Sequence, residues 1–297
     1  MSSVALAPTP HGTPAVPSWR RALGIGWLRV GVELKELVRS PMALMFTVLF
    51  PLILFVIFGS VFTGYVAPGV TFSQYFAAGM IASGAFYAGF QNLAIAVPLE
   101  RDNRTLKRLR GTPMPPAAYF IGKTGSVIAV YVVQVALLIG LGSLFGDLHP
   151  PAAAGQWLTF AWVSLLGLAA TSLCGLAASG LIRRSEGAAA IVSPVVVVLQ
   201  FISGVFFQYN HLPTWMHDIA SVFPLRWLAL GMRSVFLPAR FAAFEPGGGG
   251  WQHGLTAVVL AVWAVVGFVV AARRFRWFNE PRGQAFSPRR RRGTMSP

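Results

Sequence analysis

Six stretches of the chain, at 43–64, 75–97, 119–144, 157–182, 188–208 and 254–272, are nearly unbroken runs of apolar residues. A helix needs about 20 such residues to cross about 30 Å of hydrocarbon. Lipid offers the backbone no hydrogen-bond partner, so these runs are helices rather than strands. None of the six contains Asp or Glu. The pattern predicts an all-α polytopic membrane protein, with one transmembrane unit over 41–280.

Three further segments have helical patterns that are not spans. In 19–40, Trp19, Leu23, Trp27, Val30, Leu34, Leu37 and Val38 recur at steps of three and four, and most charged residues fall on the other face. That is an amphipathic helix, ended at Ser40-Pro41 because the residue before proline leaves the helical region. A basic helix carrying Trp suits the headgroup layer. In 98–111, Pro98 suits a helix start and Gly111 a stop, and acids (Glu100, Asp102) precede bases (Lys107, Arg108, Arg110) as the helix dipole favours. Leu99, Leu106 and Leu109 share one face, enough for a contact with a soluble partner. In 213–237, Pro213 and Pro224 each suit a first helical position, predicting two short helices between spans five and six, with Trp215 and Trp227 at the interface.

Composition sharpens the membrane reading. Of the 297 residues 55% are hydrophobic and 11% charged, against about 25% charged in a soluble domain. The net charge of +15 sits in short clusters between apolar runs, which argues for anionic lipid and against nucleic acid. Arg20, Arg21, Arg29, Lys35 and Arg39 precede span one. Arg101, Arg104, Lys107, Arg108, Arg110 and Lys123 flank the loop after span two, and Arg183 and Arg184 follow span four. The C-terminal tail carries Arg273, Arg274, Arg276, Arg282 and Arg289 to Arg292. With six alternating spans, 21 of 24 basic residues fall on one side, which the positive-inside rule makes the cytoplasm, with both termini in it. Arg226, Arg233 and Arg240 are the exceptions, in a long outer segment where the rule is weak. Residues 1–18 read as a disordered cytoplasmic tail, without the basic start and apolar core of a signal peptide, and 281–297 as a basic tail.

The chain shows no catalytic constellation. Gly122-Lys123-Thr124 imitates the end of a phosphate loop, but Ala117 stands where the first glycine must let backbone approach phosphate, and the string enters a span. His211, His217 and Asp218 lack a well-spaced third ligand and read as interfacial polar residues. Cys174 reads as a small buried hydrophobe. Gly167, Thr171, Gly175 and Ser179 form a small-residue stripe suited to close helix packing. Gln134 and Gln200 fall near mid-membrane, with Gln91 and Asn92 deeper on span two; such residues line a path or bond a neighbouring helix. An ATP-independent carrier or channel, or a membrane sensor or scaffold, would account for the spans alone; acidic proton relays, which would favour the carrier, are missing from them.

The stretch Leu99-Glu100-Arg101-Asp102-Asn103-Arg104-Thr105-Leu106-Lys107-Arg108-Leu109-Arg110-Gly111-Thr112-Pro113 resembles the coupling segment of the ABC-2 type permeases, membrane subunits of ATP-binding-cassette exporters. Ile202-Ser203-Gly204-Val205-Phe206-Phe207, followed by Leu212-Pro213-Thr214-Trp215 and Phe223-Pro224-Leu225-Arg226-Trp227, resembles that family's outer segment. The order of elements agrees from residue 19 to about 280. Arg104 stands where the family often has Gly, Gln208 where Pro is common, and Arg226 where a small polar residue is usual.

The resemblance implies a drug-, lipid- or glycolipid-exporting permease in the plasma membrane, with no cofactor of its own. Two separate ATPase subunits would hold ATP and Mg, and a second permease copy, identical or paralogous, would complete the path. Coupling to the ATPase then falls to Glu100, Arg101, Thr105, Leu106 and Leu109, with Glu33 and Glu36 on the first helix. Gln91, Asn92, Gln134, Gln200, Phe206 and Phe207 are candidates for the path. Trp215, Arg226 and Arg233 would form an outer cap, the arginines facing lipid phosphate, an anionic substrate or the opposite subunit.

Overall fold

The structure, a computed structural model, describes residues 19–112, 114–145, 148–182, 184–247 and 249–274. The tails expected at 1–18 and 281–297 lie outside the described residues. Among the described residues, helix α1 (Trp19–Arg39) precedes six helices long and apolar enough to cross a membrane. These are α2 (Pro41–Val61), α3 (Phe72–Asp102), α5 (Pro116–Phe145), α6 (Ala154–Ser179), α7 (Ala188–Ile202, extended to span length by the tight turn Ser185–Gly187) and α10 (His253–Arg274). A short helix α4 (Thr105–Arg110) follows α3, and α8 (Thr214–Val222) and α9 (Pro224–Phe236) lie between α7 and α10. The expected six-span, all-α architecture is what the chain forms.

Helix α3 is the centre of the bundle. In its most apolar window 72% of residues are buried, against at most 50% in any other span. Twelve of its 31 residues are Ala, Gly or Ser, which let neighbouring backbones approach closely. A Cβ at Gly79 would meet the Val205 carbonyl oxygen at 3.2 Å, and one at Gly84 the Gln134 amide at 2.9 Å. The small-residue stripe on α6 answers it: a Cβ at Gly175 would lie 2.7 Å from the Phe90 carbonyl oxygen. Helix α3 starts at a capping box, in which the Thr71 hydroxyl accepts from Gln74 N and the Gln74 amide accepts from Thr71 N. An antiparallel pair of short strands, β1 (Tyr65–Ala67) and β2 (Val70–Thr71), leads into that cap.

Two details correct the sequence reading. No helix runs over 98–111. Helix α3 continues through Pro98 to Asp102, since a proline removes one N–H but need not end a helix whose flank is packed; Pro98 is buried. The break comes at Asn103-Arg104, where Arg104 takes the left-handed conformation (φ 57°) and α4 restarts. That conformation is the natural habit of glycine, which gives a physical meaning to the Gly common at this position. Span five also ends at Ile202 rather than 208, because Gly204, at φ 72°, turns the chain back into the bundle.

Helices α8 and α9 are not a surface loop. Helices α8 and α9 meet at 95°, and Pro224 occupies the first turn of α9 as expected. Helix α9 packs against α3, α6 and α10, and nearly all its residues are buried. Gly231 meets Val163 of α6 there, and Leu228 fills the space that Gly167 leaves.

Candidate functional site

Helix α1 lies along the first half of α5. Glycines make the fit: a Cβ at Gly26 would lie 2.5 Å from Ile121, and one at Gly122 2.7 Å from the Arg29 side chain. This close approach brings together charges far apart in sequence. Lys123 Nζ donates to Glu33 Oε2 of α1 at 2.6 Å and to Glu100 Oε1 of α3. The Tyr119 hydroxyl donates to Glu100 Oε2 at 2.9 Å. Arg29 pairs with Glu33 at 3.0 Å, one turn away, and its guanidinium lies 5.1 Å from the Tyr119 ring centroid. Lys123 is 5% exposed. Two cations and two carboxylates balance here, as buried charges must. The junction therefore ties α1, the end of α3 and the start of α5 into one body.

The same end of α3 reaches a second joint. Arg101 donates to the Ile182 carbonyl at 2.5 Å, and the Asp102 carboxylate accepts from Ser185 N at 2.7 Å. These two bonds tie the α3 terminus to the connection between α6 and α7.

Of the residues expected to couple, Glu33 and Glu100 are brought together, but through Lys123. Their carboxylates face inward to buried Lys123, whose charge draws them in. Arg101 forms the second joint. Glu36 lies at the rim of the junction, where partial loss of water contact and then neighbouring Glu33 raise its carboxyl above the usual range. Thr105, Leu106 and Leu109 sit half-buried on α4, outside the ion cluster. Sequence reasoning missed Arg29, Tyr119 and Lys123 as functional residues. The available signal was a lysine within an apolar helix, four residues after a tyrosine.

At the opposite end of the bundle the arginines reverse their expected direction. Arg226 and Arg233, 3% and 0% exposed, face inward to a shared carboxylate, Glu245. Arg226 Nη2 donates to Glu245 Oε2 at 3.0 Å, and Arg233 Nη1 to Glu245 Oε1 at 2.7 Å. Arginines at this depth need a desolvated partner, and the carboxylate after the turn Ala239–Phe244 supplies it. Burial pushes the Glu245 carboxyl up, but the two guanidiniums outweigh it and leave it below the usual range. The guanidinium carbons of Arg226 and Arg233 lie 3.7 and 4.2 Å from the ring centroids of Tyr209 and Tyr75. Arg233 also donates to the Gly204 carbonyl, which accepts from the Tyr75 hydroxyl at 3.0 Å too. His217 stacks on Tyr209 and its Nε2 lies 2.6 Å from the Tyr209 carbonyl oxygen, so it is a structural residue of this end. Trp215, on α8, is exposed.

The mid-membrane candidates do not converge. Gln200 donates to the Tyr87 hydroxyl at 2.6 Å, joining α7 to α3. Gln134 is fully buried against Gly84, and no hydrogen bond reaches its amide. Gln91 and Asn92 are half-buried where a wide helical turn, Tyr87–Gln91, interrupts α3. Phe206 belongs to the packed interior, in a run of rings with Phe58 and Phe76, while Phe207 is exposed.

Residues 28–237 match the model of a family described as ABC-2 type transporter. A protein named "Putative transport permease ycf38" from Porphyra purpurea is 24% identical over 204 residues, covering 67% of this chain and 69% of that one. "Putative transport permease YvfS" from Bacillus subtilis (strain 168) is 19% identical over 196 residues, covering 65% of this chain and 77% of that one.

Proposed function

This chain belongs to the ABC-2 type transporter family, and we propose that it is the permease subunit of an exporter driven by a separate ATPase. Two ATPase subunits bind the basic, cytoplasmic end, where α4 offers Leu106 and Leu109 beside Thr105. Two permease copies enclose the path. The cargo is a hydrophobic or amphipathic compound taken from the cytoplasm or inner leaflet of the cell membrane.

The observation that carries this reading is the junction at Lys123. A permease must turn a push on its cytoplasmic surface into movement of its spans. The break at Arg104 isolates α4 as a short lever. Beyond it, the end of α3 is clamped to α1 and α5 through Glu100 and to the α6–α7 connection through Arg101 and Asp102. Closure of the ATPase pair on ATP then shifts these elements together, a two-state change biased by nucleotide. The wide turn at Tyr87–Gln91 lies in the helix that receives the push, beside Gln91 and Asn92, where such turns often accompany function.

The test is co-purification and transport. The tagged chain, isolated from its own host, carries vanadate-sensitive ATPase activity, and inverted vesicles accumulate a hydrophobic probe only with ATP. Changing Leu106 and Leu109 to Asp removes both while the protein stays monodisperse. Accumulation that persists without ATP, driven by an ion gradient, would establish a carrier instead.

A further inference from the structure

A cavity of about 660 Å³ opens among α3, α5, α6 and α10, within one copy of the chain. Its wall is hydrocarbon: Phe120 and Val127 of α5, Leu165 and Leu173 of α6, and Phe268 of α10. Its polar groups are Lys123, Thr124 and Ser172. Lys123 and Thr124 lie in the first turns of α5, and Ala271 and Ala272 line the cavity at the end of α10. The cavity therefore occupies the basic half of the bundle, and the exposed Arg273 follows directly on its wall.

Its size lies within the 300–1,000 Å³ or so of small-molecule sites. The walls reject a hydrated solute, because nothing along them replaces water's hydrogen bonds. An apolar space of this kind takes hydrocarbon, and Arg273, exposed just beyond its wall, favours an anionic headgroup at that end. We propose that this cavity binds one acyl chain of an anionic membrane phospholipid. Because Lys123 stands in its wall and clamps Glu33 and Glu100, the chain packs directly against the junction between α1, α3 and α5. The site is lined by residues of a single copy, and the proposal does not depend on the direction of transport.

The experiment uses the full-length protein in bilayers doped with diazirine-bearing phosphatidylglycerol, with phosphatidylcholine carrying the same chain, or with a free diazirine alkane. Cross-linked peptides are mapped by mass spectrometry. The expected result is labelling by phosphatidylglycerol on the cavity faces of α6 and α10, around Leu173 and Phe268, well above the exposed Val197 on α7. Ala169→Trp fills the cavity from a position that is exposed and so tolerates bulk; it should cut this labelling about tenfold, as a loss of about 1.4 kcal/mol would. Ala272→Leu, at the opposite wall, is the second variant should the first fold poorly. Phosphatidylcholine or the alkane labelling these faces as strongly would overturn the anionic assignment. Labelling unchanged by either substitution, or no stronger than at Val197, would overturn the site.

Discussion

Replacing Lys123 with Met removes the cation that two carboxylates share. The three side chains are 6%, 9% and 13% exposed for Lys123, Glu33 and Glu100, so little water is available to take its place. Breaking a buried ion pair by deleting one partner costs about 3–5 kcal/mol, because the remaining charge keeps its desolvation cost. Glu33 retains Arg29 at 3.0 Å, while Glu100 retains only the Tyr119 hydroxyl within this junction. The loss therefore falls mostly on Glu100, and about 3 kcal/mol is the expected magnitude. In a domain of this size each kcal/mol moves the thermal midpoint by about 2–4 °C, so the expected fall is about 6–12 °C. The assay is the fraction of detergent-solubilised protein that stays monodisperse after heating, read by fluorescence-detected size exclusion. Adding Glu100→Gln to Lys123→Met removes the stranded charge, leaves Arg29 paired with Glu33, and should recover most of the loss, since neutral packed replacements for buried ion pairs are tolerated. A fall under about 2 °C for Lys123→Met would place these charges in water, contrary to the reasoning. A double variant no more stable than the single would show that charge balance is not what holds the junction.

Two shorter predictions follow from the same geometry. Arg104→Gly relieves a left-handed residue and should stabilise the protein by roughly 0.5–1 kcal/mol once the freer unfolded chain is counted, raising the thermal midpoint; an unchanged or lower midpoint contradicts the conformation. Glu245→Gln should destabilise the protein near neutral pH, and thermal midpoints measured against pH test why. Because its carboxyl is held below the ordinary value of 4.5, the ionised form contributes stability above that pH and loses it as the pH falls through the lower folded-state value. The gap between parent and variant should narrow in acid; a gap that widens refutes the pairing with Arg226 and Arg233.

The spans were legible because lipid imposes one dominant requirement, a long apolar helix, which no distant contact is needed to satisfy. The stripe Gly167, Thr171, Gly175 and Ser179 was legible for a related reason, since close packing demands small residues at a fixed spacing. Pro98 misled because a proline at a helix start and a proline inside a packed helix look alike locally; burial decides between them. Lys123 was counted only as a charge beside a loop, since its partners lie 90 and 23 residues away. Glu245 stood just before the glycine run 247–250, which resembles a connector, and nothing local tells that Arg226 and Arg233 turn inward to reach it. Long-range charge balance, rather than periodicity, set both ends of the bundle.

Photo-cross-linking from α4 tests the central claim most directly. A photoreactive amino acid at Leu109, in the full-length chain expressed in its own host, should capture a soluble protein that carries a glycine-rich phosphate-binding loop. The same probe at Thr214, in the outer helical pair, should capture no such protein. An ATPase captured from Leu109 alone is the outcome the account predicts. Capture of no nucleotide-binding protein at Leu109, or equal capture from Thr214, would contradict it.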